Sequence, residues 1–127
     1  MKILEKEKLI EETLPGRVIQ KAVGKDSPSI SEKITVGFAR YSAESGLMES
    51  HHHAEEVVYV VNAKNGYFRY GREPGRLSDR VELKTGMLIH FDELEWHVFE
   101  FDEDGIVEII FIYGQVDNIR PEEILRS

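Results

Sequence analysis

Eight short segments rich in β-branched and aromatic residues follow one another along this chain, and that succession leaves few possible folds. The segments are Arg17–Val23, Lys33–Tyr41, Val57–Val61, Tyr67–Tyr70, Val81–Leu83, Met87–Phe91, Trp96–Phe101 and Ile106–Tyr113. Strands at this spacing, with almost no helix between them, are typical of a β-sandwich or β-barrel. We therefore predict one all-β domain.

The turns and ends of the chain complete this prediction. Asn65-Gly66 and Asp104-Gly105 are predicted hairpin turns, because Asn, Asp and Gly tolerate positive φ. We expect residues 1–16 to form an arm or short helix, residues 17–116 the β-barrel, and residues 117–127 a short helical tail after Pro121. Val58, Val60, Ile89, Val98, Phe99, Ile110 and Ile112 are the predicted core and wall residues.

Composition excludes several classes of function. The chain has 127 residues, 16 Lys and Arg against 24 Asp and Glu, and a net charge of −8. An acidic surface repels phosphate backbones and anionic lipid, so neither nucleic acid nor membrane is an expected partner. The absence of Cys excludes disulfides and zinc–thiolate sites, and the charged N-terminus does not resemble a signal peptide. A cytoplasmic protein is the simplest expectation.

One cluster carries the chemistry. The run His51-His52-His53-Ala54-Glu55-Glu56 stands directly before an apolar strand, and His97 follows in a later segment. Imidazole and carboxylate together suit a divalent transition metal ion, such as Mn, Fe, Ni, Cu or Zn. A solvated loop is the alternative interpretation of three consecutive histidines. His90, inside a predicted strand, is expected to be a buried core histidine.

These residues resemble the two motifs of the cupins, which are double-stranded β-helix barrels of the jelly-roll type. In the second motif Gly86 and His97 stand at the family's glycine and histidine positions. Asp92, Leu94 and Phe101 replace its proline, glycine and asparagine. The histidine, which carries the chemistry, is in register.

The first motif fits in two registers. Counting back from Glu56 places the family's two histidines at Ser50 and His52, whereas counting forward from Gly46 places them at His51 and His53. Residues two apart share a face of a strand, so all three histidines cannot point inward from a regular strand. We favour the second register, because it keeps a ligand at the cost of a shorter turn. The candidate metal ligands are His51, His52, His53, Glu56 and His97.

The resemblance implies one divalent metal ion in the barrel mouth and a small oxygen-rich substrate, with dioxygenase, decarboxylase or isomerase chemistry. Glu55, Tyr59 and His90 are candidates to orient ligands or move protons. The alternative is a non-catalytic cupin that binds a sugar or organic acid. Pairing of barrels into a homodimer is also implied.

Overall fold

The computed structural model describes residues 1–50 and 54–114. His51–His53 and the predicted tail 117–127 lie outside the described residues. The described part contains one short 3-10 helix, Lys6–Lys8, and otherwise only strands. The strands are β1 Glu12–Leu14, β2 Arg17–Val23, β3 Thr35–Ser42, β4 Glu56–Gly71, β5 Val81–Glu82, β6 Leu88–Phe91 and β7 Trp96–Tyr113. The predicted all-β architecture is confirmed.

The strands form one antiparallel sheet in the order β1-β2-β3-β7-β4-β5, with β6 paired to β4. The long strands β4 and β7 pair along both of their halves, so they bridge the two layers into which the sheet bends. Contacts between the layers fill the interior. Phe68 of the second half of β4 meets Phe91 of β6 at 6.2 Å between ring centroids, and Tyr41 of β3 meets Phe99 of β7 at 4.8 Å.

The two predicted hairpin turns are wrong, because both dipeptides lie inside the long strands. Asn65 has a φ of 50°, and the pairing register shifts between Lys64 and Gly66. Opposite this bend, residues 102–105 stand between the partners of Gly66 and Lys64. Positive φ is therefore used here to bend two paired strands together, instead of reversing either of them.

Side chains alternate between the inner and outer faces along most of each strand, and this alternation decides which of them enter the core. Val58, Val60, Val98 and Phe99 are buried as predicted, and Ile89 packs against the core partly buried. The prediction is wrong for Ile110 and Ile112, which face outward; Ile112 is 41% exposed. Their neighbours Val107, Ile109 and Phe111 enter the core instead. Since every second residue shares a face, Glu108 already indicates that Ile110 and Ile112 belong to the solvent side.

The N-terminal segment contains one short 3-10 helix and the edge strand β1. The helix is a single turn, Lys6–Lys8, and β1 pairs with β2 along the edge of the sheet. The Gln20 side-chain amide donates hydrogen bonds to the carbonyl oxygens of Lys6 and Leu9, at 2.8 and 3.1 Å. These bonds hold the arm over the outer face of β2. Among residues 1–50 and 54–114, no helix is long and apolar enough to cross a membrane.

Candidate metal centre

Two of the five predicted ligands meet inside the barrel. Glu56 is the first residue of β4 and His97 is the second residue of β7, and both point inward. His97 Nε2 lies 3.1 Å from Glu56 Oε1, and the two side chains are only 2% and 6% exposed. The segments around residues 56 and 97 are thus brought together from opposite layers of the sheet.

Two contacts fix the imidazole of His97. Its Nδ1 lies 3.0 Å from the carbonyl oxygen of Glu95, and because a carbonyl only accepts, Nδ1 carries the hydrogen and donates it. Phe91 stacks on the ring, with centroids 4.1 Å apart and planes 15° from parallel. The ring is therefore held in one tautomer and one orientation, with Nε2 directed at Glu56.

This arrangement is favourable when a proton or a metal ion lies between the two side chains. With the hydrogen on Nδ1, a neutral His97 presents a lone pair at Nε2 to a carboxylate oxygen 3.1 Å away. Two electron-rich atoms repel strongly in a buried site. A proton on either atom or a metal ion removes that repulsion. Two ligand atoms, each about 2.1 Å from a metal at right angles to one another, are roughly 3 Å apart, so the observed spacing fits shared coordination.

Structural comparison identifies the architecture. RemF, a polyketide cyclase from Streptomyces resistomycificus, matches with a TM-score of 0.69 at 20% identity, covering 95% of this chain and 82% of that one. An oxalate decarboxylase variant from B. subtilis matches with a TM-score of 0.67 at 18% identity, covering 91% and 30%. Fe(II)-HppE matches with a TM-score of 0.64 at 15% identity, covering 89% and 60%. All three are cupin-fold proteins.

This chain has the cupin fold. Its 127 residues correspond to less than a third of the oxalate decarboxylase, and at these identities the likeness concerns the fold alone. No protein-family model and no curated protein sequence matches the chain. Its chemistry must therefore be argued from its own residues.

The turn that delivers His97 departs from the cupin motif at a strained position. Glu95 N–H donates to the Asp92 carbonyl at 3.1 Å and closes the turn between β6 and β7. Leu94, at the cupin glycine position, has a φ of 62°, in the left-handed region that a branched side chain disfavours. Gly86, the motif glycine that this chain retains, also has positive φ, at 94°. Leu94 thus holds a backbone conformation that glycine adopts more readily.

A second carboxylate–imidazole pair lies outside the barrel. The carboxylate of Glu55 hydrogen-bonds with His90 Nε2, and their side chains are 63% and 55% exposed. The prediction of His90 as a core histidine is wrong, because it shares its face of β6 with the exposed Leu88. Tyr59 is also on this outer face, 42% exposed. None of the three reaches the buried pair to orient its ligands or move its protons.

The remaining predicted ligands are not tested by the structure. His51, His52 and His53 lie outside the described residues, so their register stays a prediction. Within residues 1–50 and 54–114, no group of three or more His, Asp and Glu side chains gathers to hold a metal. The described part of the centre is therefore the pair Glu56 and His97.

Three residues at this site were missed by the sequence interpretation. Phe91 stacks on His97, while Tyr113 and Tyr70 are the cross-strand neighbours of Glu56 and His97 respectively. Phe91 lies two residues after Ile89, which was predicted to line the wall. The alternation of the strand therefore indicates that Phe91 also points inward. No sequence signal pairs the tyrosines with the site, because that depends on the register between β4 and β7.

Proposed function

We propose that this cupin binds one divalent transition metal ion at Glu56 and His97, with two of the preceding histidines completing the site. The favoured pair is His51 and His53. The observation that carries the proposal is the buried 3.1 Å contact between His97 Nε2 and Glu56 Oε1. The imidazole and carboxylate donors suit Mn, Fe, Ni, Cu or Zn. The structural neighbour Fe(II)-HppE holds iron, and this supports the proposal.

The bound ligand in this proposal is a small oxygen-rich molecule, and the reaction is an oxidation, decarboxylation or isomerisation. When bound, the metal supplies a Lewis acid with coordination positions left for a substrate. The chain contributes positioning: the Glu95 carbonyl fixes the His97 tautomer, and Phe91 keeps water away from one face of the ring. Burial strengthens the electrostatic interaction of Glu56 with any cation at this point.

A second candidate function is supported by the same buried pair. If the charge between Nε2 and Oε1 is a proton, Glu56 and His97 form a buried ion pair and no metal is required. The barrel is then a non-catalytic module that binds a sugar or organic acid through hydrogen bonds. Metal content separates the two functions.

The test uses untagged protein, purified and analysed by elemental mass spectrometry. The metal proposal expects close to one equivalent of a transition metal in the wild type and a loss of at least tenfold in His97→Ala. His90→Ala is the matched control, because it removes an imidazole from the outer pair, and it should keep the wild-type content. Absence of metal from the wild type after incubation with each of the five ions would favour the non-catalytic module.

A second pair of variants decides the register of the histidines. In the favoured register His53→Ala loses metal and His52→Ala keeps it. The opposite result would assign the ligand positions to Ser50 and His52. Both variants change the same run of the chain, so each controls for the other.

We also propose that the functional unit is a homodimer formed through the outer face of the sheet. Tyr59, Val61, Leu88 and Ile112 lie on that face and are each 39–69% exposed. Tyr59 pairs directly with Leu88, so these side chains form a continuous apolar surface. Two copies of a chain with a net charge of −8 repel each other. This face is mostly apolar, with the Glu55–His90 pair among its exposed side chains, so it is where two copies meet with few opposing like charges.

Light scattering across a concentration series tests the dimer. Ile112→Glu should halve the measured mass, because the new charge would be buried against a second copy. Ile30→Glu changes an isoleucine that is 74% exposed outside the strands and should leave the mass unchanged. A wild-type protein that stays monomeric, or an Ile112→Glu dimer, would refute the interface.

A further inference from the structure

Each member of the buried pair has a tyrosine as its direct cross-strand neighbour. Tyr113 of β7 is paired with Glu56 of β4, and Tyr70 of β4 is paired with His97 of β7. Directly opposed residues in an antiparallel pair have Cβ atoms about 4.5–5.5 Å apart and point to the same face. The side chain of Tyr113 therefore starts next to that of Glu56 on the inner face, and the side chain of Tyr70 starts next to that of His97.

Both tyrosines are held in the aromatic layer of the barrel. Tyr113 stacks on Phe111, with centroids 5.5 Å apart and planes 15° from parallel. Tyr70 stacks on Phe68 at 5.9 Å and 30°, and it is 43% exposed. With Phe91 stacked on His97, three aromatic side chains thus lie on the inner face near the pair. This surface offers area for stacking and two hydroxyl groups for hydrogen bonds.

The arginines of β3 and β4 point the other way. Arg40 of β3 lies 2.8 Å from Glu11 and 3.0 Å from Glu44 in ion pairs on the outer face. Arg69 of β4 lies 2.9 Å from Glu100, also outside the barrel. A bidentate arginine is what recognition of a carboxylate commonly uses. On these strands that residue is engaged with the protein's own carboxylates.

We propose that Tyr70 and Tyr113 are ligand-contacting residues that select a planar, neutral or singly charged molecule with two adjacent oxygen atoms. The ring face of such a molecule stacks between the aromatic side chains. Its oxygen atoms face Glu56 and His97 and receive hydrogen bonds from the tyrosine hydroxyls. Small di- and tricarboxylates are disfavoured, because they need more positive charge and offer no ring face. The inference rests on the proposed function, whose site it shares.

Calorimetric titration of metal-loaded protein with two probes tests the selection. Tropolone is planar and carries a carbonyl next to a hydroxyl, whereas oxalate is a small dianion with the same bidentate spacing of oxygen atoms. Tyr113→Phe and Tyr70→Phe should each weaken tropolone binding about threefold to tenfold, the effect of one lost hydrogen bond. Tyr113→Leu, which also removes the ring, should weaken it further. Oxalate binding should change less than twofold in all three.

Tyr67→Phe is the matched control, because it removes a hydroxyl that binds Asp102 on the outer face of the same strand as Tyr70. It should leave both titrations unchanged. Equal losses for tropolone and oxalate in the inner variants would overturn the selectivity. An unchanged affinity for tropolone in all three inner variants would also overturn it.

Metal content measured on the same samples separates this inference from the proposed function. Wild-type metal content should persist in the Tyr→Phe variants, since the hydroxyls are not ligands. If the wild type holds no metal, the proposed function fails, and the titration is repeated on the metal-free protein. Tropolone binding that depends on Tyr113 and Tyr70 then still supports the aromatic site, and its absence overturns it.

Discussion

The chain contains two carboxylate–imidazole pairs whose members are close in sequence and opposite in environment. Glu56 and His97 meet inside the barrel with side chains 6% and 2% exposed. Glu55 and His90 meet outside it with side chains 63% and 55% exposed. Glu55 and Glu56 are consecutive residues, so a single step along the chain separates a solvated carboxylate from a buried one.

The difference between the pairs shows that environment, more than residue type, decides what such a pair does. Water screens the outer pair, and exposed ion pairs contribute about 0–1 kcal/mol to stability. Inside, neither charge has bulk water around it, so each side chain depends on a cation or a proton to balance it. The inner pair is therefore the one to which we assign the proposed metal ion.

The largest expected effect comes from removing one carboxylate of each pair. Glu56→Ala should lower the free energy of unfolding by roughly 3–5 kcal/mol, because it removes a carboxylate that is buried against His97. Glu55→Ala should change it by less than about 1 kcal/mol, because the outer pair is solvated. Urea unfolding of the metal-free proteins, followed by circular dichroism, measures both. Equal losses in the two variants would contradict the contrast drawn between the pairs.

The fold was largely predictable because strand segments carry local signals. The structure reproduces Arg17–Val23 as β2 with the same bounds, and β3, β5 and β6 agree with their predicted segments within two residues. The four remaining segments are the halves of the two long strands β4 and β7. The errors at Asn65-Gly66 and Asp104-Gly105 have one cause. Positive φ is a local property, but whether it reverses a strand or bends it depends on a partner strand distant in sequence.

The site was predictable in part for the same reason. Motif spacing placed His97 and Glu56 correctly on two strands, and their meeting follows from the cupin topology that the spacing predicted. The side chains around them depend on register. Tyr113 becomes a neighbour of Glu56 only through the bulges that shift the pairing of β4 with β7. The residue pattern of either strand does not predict these shifts in register.

A smaller effect is expected from the ring that supports the inner pair. Phe91 of β6 is 2% exposed and stacks on His97, whereas Ile30, outside the strands, is 74% exposed. Phe91→Leu keeps an apolar side chain but loses the stacking, so we expect a loss of about 1–2 kcal/mol and weaker metal binding. Ile30→Ala should stay within about 0.5 kcal/mol. Unchanged metal affinity in Phe91→Leu would show that the ring does not position His97.

A gain in stability is expected at the turn that carries His97 inward. Leu94 has a φ of 62° and is 46% exposed, so Leu94→Gly relieves the backbone while removing little buried surface. The left-handed conformation costs a non-glycine residue roughly 1–2 kcal/mol, and the greater chain entropy of glycine offsets part of the gain. We expect a net increase of about 0.5–1 kcal/mol in thermal or urea unfolding. A loss of stability would mean that the Leu94 side chain contributes packing that outweighs the strain.

The smallest expected effect concerns acid and the outer charge network of β4 and β7. Burial raises the pKa of Glu100, but hydrogen bonds from Arg80 and Arg69 outweigh it and hold that pKa below its ordinary 4.5. Hydrogen bonds from Tyr67 and Arg80 likewise lower the pKa of Asp102 from its ordinary 3.8. A lowered pKa in the folded state means that the unfolded chain binds protons first as the pH falls.

The stability that this network contributes is therefore fully present above the ordinary carboxylate pKa and is lost as the pH falls through the lowered values. Arg80→Gln removes one hydrogen-bonding partner from both carboxylates, so the difference in unfolding free energy between wild type and variant should be largest near neutral pH. It should shrink steadily below about pH 4.5. Arg76→Gln changes an exposed arginine whose ion pair lies in a loop outside the strands, and it should show no such trend. A difference that stays constant down to low pH would mean that Arg80 acts through packing on the Tyr67 ring, 4.5 Å away, and not through its carboxylate partners.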